Sequence, residues 1–389
     1  MENTSNIWTD LISEFHKQGH DVLVVAPAYD KNITGLKIEH GVKVLRVATF
    51  ALFNVGSIKK GIANILLPHQ YKKAIKDHGI AMDFDLIIMP TPPITLANIA
   101  EWIKRKSHSK IYLVLRDIFP QNAVDLEMIK PKGPIHWYFR KKEKKLYDMS
   151  DKIGCMSQAN IDYIIKHNSE IDPTKLHLLP NWEQMHKHEN SEDLENIKLK
   201  YNIANKFVAL YGGNIGKPQK LENIVKLAAA CSDIKDIAFL IIGKGTEYEK
   251  ISNMVNSLNL SNVIIKPNIP RKEYNDLLCI ADLGLISLND NFSIPNFPSK
   301  VLSYFDSKKP VLASLDLATD FGNLLDETNS GFWAEAGKTT ELKAKLMQLY
   351  NDRELATQMG LNGYNHKKKF LLPENAYSTI MDKMTEISS

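Results

Sequence analysis

Short, uncharged apolar runs alternate with amphipathic segments along most of the chain, and this alternation constrains the fold more than any other feature. Residues 22–26 (VLVVA), 86–89 (LIIM), 111–115 (IYLVL) and 152–156 (KIGCM) read as strands in the first half. Residues 207–211 (FVALY), 239–242 (FLII), 263–265 (VII) and 283–288 (LGLISL) read as strands in the second. Such runs suit strands covered on both faces. Helical patterns lie between them, for example Ile7, Leu11, Ile12 and Phe15, or Leu221, Ile224, Val225, Leu227 and Ala228. Strand–helix alternation of this kind predicts parallel α/β sheets.

The alternation is interrupted once. Residues 181–200 are polar and hold no strand candidate. A boundary there divides the chain into domains at 1–185 and 186–372, because structureless loops of such length are uncommon inside one domain. The first element, from about Ile7 to Lys17, is a helix, whereas a doubly wound domain opens on a strand that becomes central in the sheet. Either the fold begins unusually, or the chain lacks its first strand and glycine-rich turn. A first domain without them is expected to be less stable than the second and to work weakly.

Composition excludes several classes. Hydrophobic residues make up 44% and charged residues 24%, as in ordinary folded domains. No uncharged apolar run reaches the ~18 residues of a membrane span, and residues 1–10 do not read as a secretory leader. Cys155, Cys231 and Cys279 are widely spaced and read as reduced core thiols. The net charge of +4 is too mild to imply nucleic acid. No HExxH, Gly-x-Ser-x-Gly or Walker loop occurs, and only His186 and His188 have ligand-like spacing, so no metal site is assigned.

Three loops in the second half carry candidate chemistry. Residues 211–217 (YGGNIGK) and 243–245 (GKG) each follow a strand and precede a helix, where backbone N–H groups can approach a phosphate or ribose. Residues 292–310 hold Pro295 and Pro298, then Ser299 as the expected helix N-cap and Lys300 in the first turn. A lysine there opposes the helix dipole, which points to an anion. In the first half, Arg116 and Asp117 follow the strand at 111–115, and Asp117 is the best-placed carboxylate for a polar substrate or a general base. Residues 58–76 and 137–147 mix Ile and aromatic residues with Lys59, Lys60, Lys72, Lys73, Lys76 and Arg140 to Lys145. This pattern fits either a solvated face or an anionic membrane surface.

Taken together, residues 19–25 (GHDVLVV), Pro92-Pro93, 117–120 (DIFP), 179–182 (LPNW), 213–217 with Gln219, 243–245, Ala281-Asp282 and 298–300 (PSK) resemble the family-four retaining glycosyltransferases. The resemblance is to the branch with the L-fucosamine-type transferases of O-antigen and capsule synthesis. It implies the GT-B fold, two Rossmann-like domains facing across a cleft. It also implies an acceptor-binding first domain, a nucleotide-sugar-binding second domain and a final helix, residues 373–389, that crosses back to the first. The implied reaction moves a sugar, expected from a UDP-linked amino sugar, to a lipid-linked or saccharide acceptor with retention. No cofactor is needed, and the enzyme is expected in the cytoplasm, peripheral on the inner membrane face.

The residues carried over are Asp117 for catalysis and Gly213, Asn214, Gly216, Lys217, Gln219, Lys244, Ser299, Lys300 and Ser303 for the donor. The broader family has an Arg and a Lys where this chain has Asn214 and Gln219, so Lys217, Lys244 or Lys300 would supply the charge. It has two glutamates where this chain has Pro295 and Ser303, leaving the Ser303 hydroxyl for the ribose. Two other readings stay open: a non-catalytic or truncated GT-B protein, and a nucleotide-sugar epimerase of GT-B build.

Overall fold

The apolar runs form parallel strands in both halves of the chain. The computed structural model describes residues 6–51, 56–186 and 194–387, and these fall into two units. The first is Met1–Glu183 with Pro373–Ser389, and the second is Gln184–Leu372. Residues 187–193 of the polar stretch, with His188, lie outside the described residues.

The first unit opens on α1 (Ile7–Lys17). The Asn6 side chain accepts from Trp8 N (2.9 Å) and Thr9 N (3.1 Å), and Thr9 Oγ1 accepts from Asn6 N (2.8 Å). This reciprocal cap satisfies donors that a helix start leaves open. There follow β1 (Leu23–Ala28), β2 (Gly35–Glu39), β3 (Val42–Ala48), α2 (Ser57–Asp77) and β4 (Leu86–Thr91). Next come α3 (Ala97–Ser107), β5 (Lys110–Leu115), α4 (Gln121–Asp125), α5 (Pro134–Met149), β6 (Lys152–Cys155), α6 (Gln158–His167) and β7 (Leu176–Leu178). The strands form two sheets, ordered β1-β3-β2 and β4-β5-β6-β7. All pairs are parallel except the β2–β3 hairpin.

That hairpin is absent from the sequence expectations. Lys37, Glu39, Lys43 and Arg46 alternate with its apolar residues, as on an edge with one wet face, so no continuous apolar run marks it. Its turn is His40-Gly41, both at positive φ (51° and 83°), the backbone that a two-residue hairpin needs. β7 has three residues and was likewise too short to read.

The second unit has the regular alternation. Its elements are α7 (Leu194–Lys200), β8 (Phe207–Asn214), α8 (Glu222–Ala230), β9 (Ile237–Lys244), α9 (Tyr248–Ser257), β10 (Val263–Lys266) and α10 (Arg271–Ile280). They continue as β11 (Leu283–Ser287), α11 (Val301–Asp306), β12 (Val311–Leu315), α12 (Phe321–Thr328), β13 (Gly331–Glu335), α13 (Thr339–Asn351) and α14 (Arg353–Phe370). One parallel sheet, ordered β10-β9-β8-β11-β12-β13, is covered on both faces. Full coverage explains why β8, β9 and β11 are almost entirely buried and read as continuous apolar runs, whereas β12, which is as buried, and β13 are absent from the sequence expectations. The last helix, α15 (Pro373–Thr385), belongs to the first unit. Its Ala376, Ile380 and Met384 share a core with Leu11, Phe15, Tyr112, Val114 and Trp182. His20 Nε2 and Tyr377 Oη hold the two helices together at 2.9 Å, and Trp182 Nε1 donates to Ile7 O at 2.7 Å.

A buried charge pair anchors α11. Lys367 Nζ of α14 lies 3.2 Å from Asp306 Oδ1, and both side chains are almost fully enclosed. Lys367 also donates to Gln184 O (3.2 Å), and His186 N donates to Asp306 Oδ2 (3.1 Å). Removing one member of such a pair strands the other charge. Lys367→Ala should therefore cost ~3–5 kcal/mol, read as the urea midpoint of the second unit. Lys367→Met should cost about as much, because the lost quantity is compensation for Asp306 and not volume. Both deficits should shrink as pH falls and the stranded carboxyl takes up a proton.

Candidate functional site

Strand order in the second unit fixes where a ligand can sit. From β8 the chain runs outward through β9 and β10, then returns to the other side of β8 for β11, β12 and β13. The order therefore reverses between β8 and β11, and the crevice at the carboxyl ends of two such strands is where open α/β sheets take ligands. The loops after β8 and β11 flank this point and are joined. Asn289 Nδ2 donates to Lys217 O (2.9 Å), Asn289 N donates to Pro218 O (2.9 Å), and Lys220 pairs with Asp290.

Glycines make the crevice floor a bare backbone surface. β8 and β9 stay in register to their last residues, with Gly213 opposite Gly243 and Asn214 opposite Lys244. Gly243 has φ +158° and Gly213 +151°, and a Cβ on Gly243 would stand 1.8 Å from Gly213 O. A Cβ on Gly212 would stand 1.9 Å from Tyr274 Oη, so the phenol lies directly on the strand end. Tyr304, buried on α11, accepts from Gly212 N (3.3 Å), and its Oη lies 3.1 Å from both Leu210 O and Leu285 O. It thereby ties β8 and β11 to α11. Asn214 Nδ2 donates to Gln219 Oε1 (2.8 Å), which braces the turn that holds Gly216.

The cations surround this floor. The Lys300 side chain crosses Gly213, where a Cβ would meet Lys300 Cε at 2.7 Å, and its Nζ sits 6.0 Å from the Tyr274 ring centroid. Lys217 and Lys244 are exposed at the ends of the two glycine turns, and neither forms a salt bridge among the described residues. Ser299 and Ser303 flank Lys300 in the chain. One expectation is corrected here: Ser299 is not the N-cap of α11. Lys300 holds that position with helical φ and ψ (−62°, −25°), and no side chain caps the helix. Lys300 therefore precedes the first turn and is free to lean back over Gly213.

The first unit presents a polar group at the carboxyl ends of β4 and β5. Thr91 Oγ1 donates to Asp117 O (3.1 Å) and accepts from Arg116 N (3.3 Å). Asn122 Nδ2 donates to Asp117 Oδ2 (2.6 Å), which orients the carboxylate. Arg116 Nη1 is buried without a hydrogen-bond partner among the described residues, and burial pulls the guanidinium down to about 10. A desolvated cation of this kind is a natural contact for an anionic group.

Tyr274 and Tyr304 were not found from sequence. Their roles come from packing across the sheet end, and no local pattern marks them. Asn289-Asp290 could have been found, since a polar pair directly after an apolar strand marks a strand end.

Known proteins share this architecture. The structure of Anabaena Alr3699/HepE in complex with UDP and glucose superposes with a TM-score of 0.72 at 14% identity, covering 98% of this chain and 95% of that one. That of WaaG, a glycosyltransferase involved in lipopolysaccharide biosynthesis, gives 0.68 at 15% identity over 96% and 95%. The fold is thus GT-B, two Rossmann-like units with parallel sheets. Residues 4–182 match the model for Glycosyltransferase Family 4 and residues 193–366 that for Glycosyl transferases group 1. With both halves matched, the chain belongs to the family-4 type of glycosyltransferases and is a transferase. The probable glycosyltransferase WbjE of Pseudomonas aeruginosa is 23% identical over 277 residues, 71% of this chain and 68% of that protein. The other curated relatives are matched over 43–57% of their lengths.

The glycine floor yields a direct test. Gly243→Ala drives a methyl group into a backbone carbonyl that cannot withdraw, at a φ that disfavours any Cβ. It should cost ~1–3 kcal/mol in thermal or urea unfolding of the second unit. Gly61→Ala, where a Cβ meets nothing within 4 Å, should be neutral or mildly stabilising.

Proposed function

We propose that the second unit binds a UDP-sugar at the β8–β11 crevice and that the enzyme transfers the sugar, with retention, to a lipid-linked or saccharide acceptor held by the first unit. The observation that carries this is the bare glycine floor ringed by Lys217, Lys244 and Lys300. A diphosphate can approach the backbone there, and the lysines offset its charge. The UDP in the HepE structure supports the choice of nucleotide. WaaG's role in lipopolysaccharide biosynthesis supports surface-polysaccharide assembly, and an amino sugar is the donor proposed from the sequence resemblance.

In the step proposed, the bond from the anomeric carbon to the diphosphate oxygen breaks. The acceptor oxygen bonds to that carbon on the same face, and its proton passes to the departing diphosphate. The chain's part is positioning and charge stabilisation. Lys300 and Lys217 stabilise the leaving diphosphate, and Gly213, Asn214, Gly216, Gln219 and Lys244 shape its seat. Ser299 is assigned to the donor and the Ser303 hydroxyl to its ribose, as the sequence resemblance implies. Asp117, oriented by Asn122, holds a sugar hydroxyl, and Arg116 meets an anionic group on the acceptor.

Calorimetry of the full chain with UDP, GDP and ADP tests the donor reading. UDP should bind, and Lys300→Ala should weaken it by ~1–3 kcal/mol. No binding of any of the three would overturn the proposal. Release of UDP from a UDP-sugar without acceptor would favour the epimerase reading instead.

A lipid-linked acceptor implies a membrane-facing surface. No described helix is long and apolar enough to cross a bilayer. Helices that follow parallel strands begin at the carboxyl edge, so the starts of α2 and α5 share the edge with Arg116 and Asp117. Ile62 (52% exposed) and Ile65 project there from α2, and Ile135 and Trp137 (64% exposed) from α5. Lys59 and Lys141 stand among them, with Lys141 Nζ 5.5 Å from the Trp137 ring centroid. The side chains of Ile58 and Lys60 lie outside the described residues. The rest of the basic run on α5 is engaged: Arg140 with Glu143, Lys144 with Glu170 and Lys145 with Glu101. We propose that the apolar starts insert shallowly while Lys59 and Lys141 attract anionic headgroups; Lys72, Lys73 and Lys76 lie in the last turns of α2, where Lys73 pairs with Asp77. Vesicle sedimentation should show binding to anionic vesicles that weakens as salt rises. Trp137→Ala with Ile62→Ser should reduce it at every salt concentration, and equal binding to neutral vesicles would refute the electrostatic part.

A further inference from the structure

A second hollow in the second unit lies away from the β8–β11 crevice. It measures about 200 Å³ and sits on the sheet face that α7 and α10 cover. Ala238 of β9 and Ile264 of β10 form its floor, and Tyr201, just past α7, lines one side. The sequence explains why the face is hollow there. Along β9 the residues packed on this face are Ala238, Leu240 and Ile242, and only the first is too small to fill the space beside the end of α7. Ala238 and Lys206 stand at the starts of β9 and β8, whereas the donor crevice lies at the strands' carboxyl ends. β8 has eight residues, so its two ends are roughly 25 Å apart.

Three lysines line this hollow and no carboxylate does. Lys200 is already engaged, since its Nζ and the Tyr201 hydroxyl both donate to Glu273 Oε1. Lys206 and Lys266 are not. Neither side chain makes a hydrogen bond, salt bridge or ring contact among the described residues. Two like charges beside one apolar floor repel each other, and an anion placed between them is attracted by both. Ser261 and Asn262 add polar groups at the same place. Asn262 Nδ2 donates to Ala228 O (2.9 Å), whereas its Oδ1 is buried without a partner among the described residues. A ligand hydroxyl that reaches this oxygen makes the hydrogen bond that the fold leaves unmade.

These features select a ligand by chemistry. The apolar floor and Tyr201 suit the carbon-bound face of a ring, and two unengaged lysines suit a doubly charged phosphate. Ser261 and Asn262 suit hydroxyl groups. The volume falls below the ~300–1,000 Å³ of pockets for drug-sized molecules. It therefore has room for one ring with one phosphate and is too small for a nucleotide-sugar.

We propose that this hollow binds a small phosphorylated sugar, with the phosphate between Lys206 and Lys266 and the ring on Ala238 and Ile264. The site is separate from the donor crevice and uses none of its residues. The inference therefore does not depend on the nucleotide reading, and its failure would leave that reading untouched.

Isoleucine δ1-methyl spectra of the full chain test it and locate the binding. Ile264 reports on the hollow, and Ile215, directly after β8, reports on the donor crevice. Glucose 6-phosphate should shift Ile264 in a saturable way and leave Ile215 in place. Glucose should shift neither, and inorganic phosphate should act at Ile264 about tenfold more weakly or less. Lys206→Gln with Lys266→Gln should weaken glucose 6-phosphate by about tenfold or more. Ala238→Leu fills the floor while keeping both lysines, and it should abolish binding. If the leucine overpacks the fold, the double lysine variant, altered only at side chains without partners, carries the test. No saturable shift at Ile264, unchanged affinity in the double lysine variant, or equal affinity for inorganic phosphate would each overturn the proposal.

Discussion

The approach of two glycine backbones at the ends of β8 and β9 governs the second unit. Gly243 lies against Gly213 O with no room for a Cβ, and the strands stay in register to Asn214 and Lys244. Because the floor is bare backbone, Lys300 can lie across it, and Tyr274 can rest on Gly212. The Tyr304 hydroxyl then joins the ends of β8 and β11, and the buried Asp306–Lys367 pair holds the same short helix from behind. The cation above the floor thus depends on a short helix held by Tyr304 and Asp306.

The first unit follows a different physics. Its polar group at β4 and β5 is held by short hydrogen bonds around Thr91 and Asn122, so it is locally well defined. The sheet beneath it is divided between β1 and β4.

Apolar runs made the parallel strands legible because those strands are covered on both faces. Where coverage is one-sided or brief, legibility failed: β2 and β3 alternate with charges, and β7 is three residues long. The glycine turns were legible, since glycine after a strand has few other uses. The setting of Lys300 was read only in part. Its place among the loops at the sheet edge followed from the motif, but its position ahead of α11 and its lean over Gly213 did not.

The sequence by itself determined the α/β class, the strands β8 to β11 of the second unit and the glycine turns that follow β8 and β9. Each of these is local, written in runs and spacings that the backbone obeys whatever surrounds it. Tertiary structure alone decided which loops meet at the β8–β11 reversal and that Tyr274 and Tyr304 brace them. These depend on strand order and on contacts between residues as far apart as Gly212 and Tyr304, and no window along the chain contains both partners.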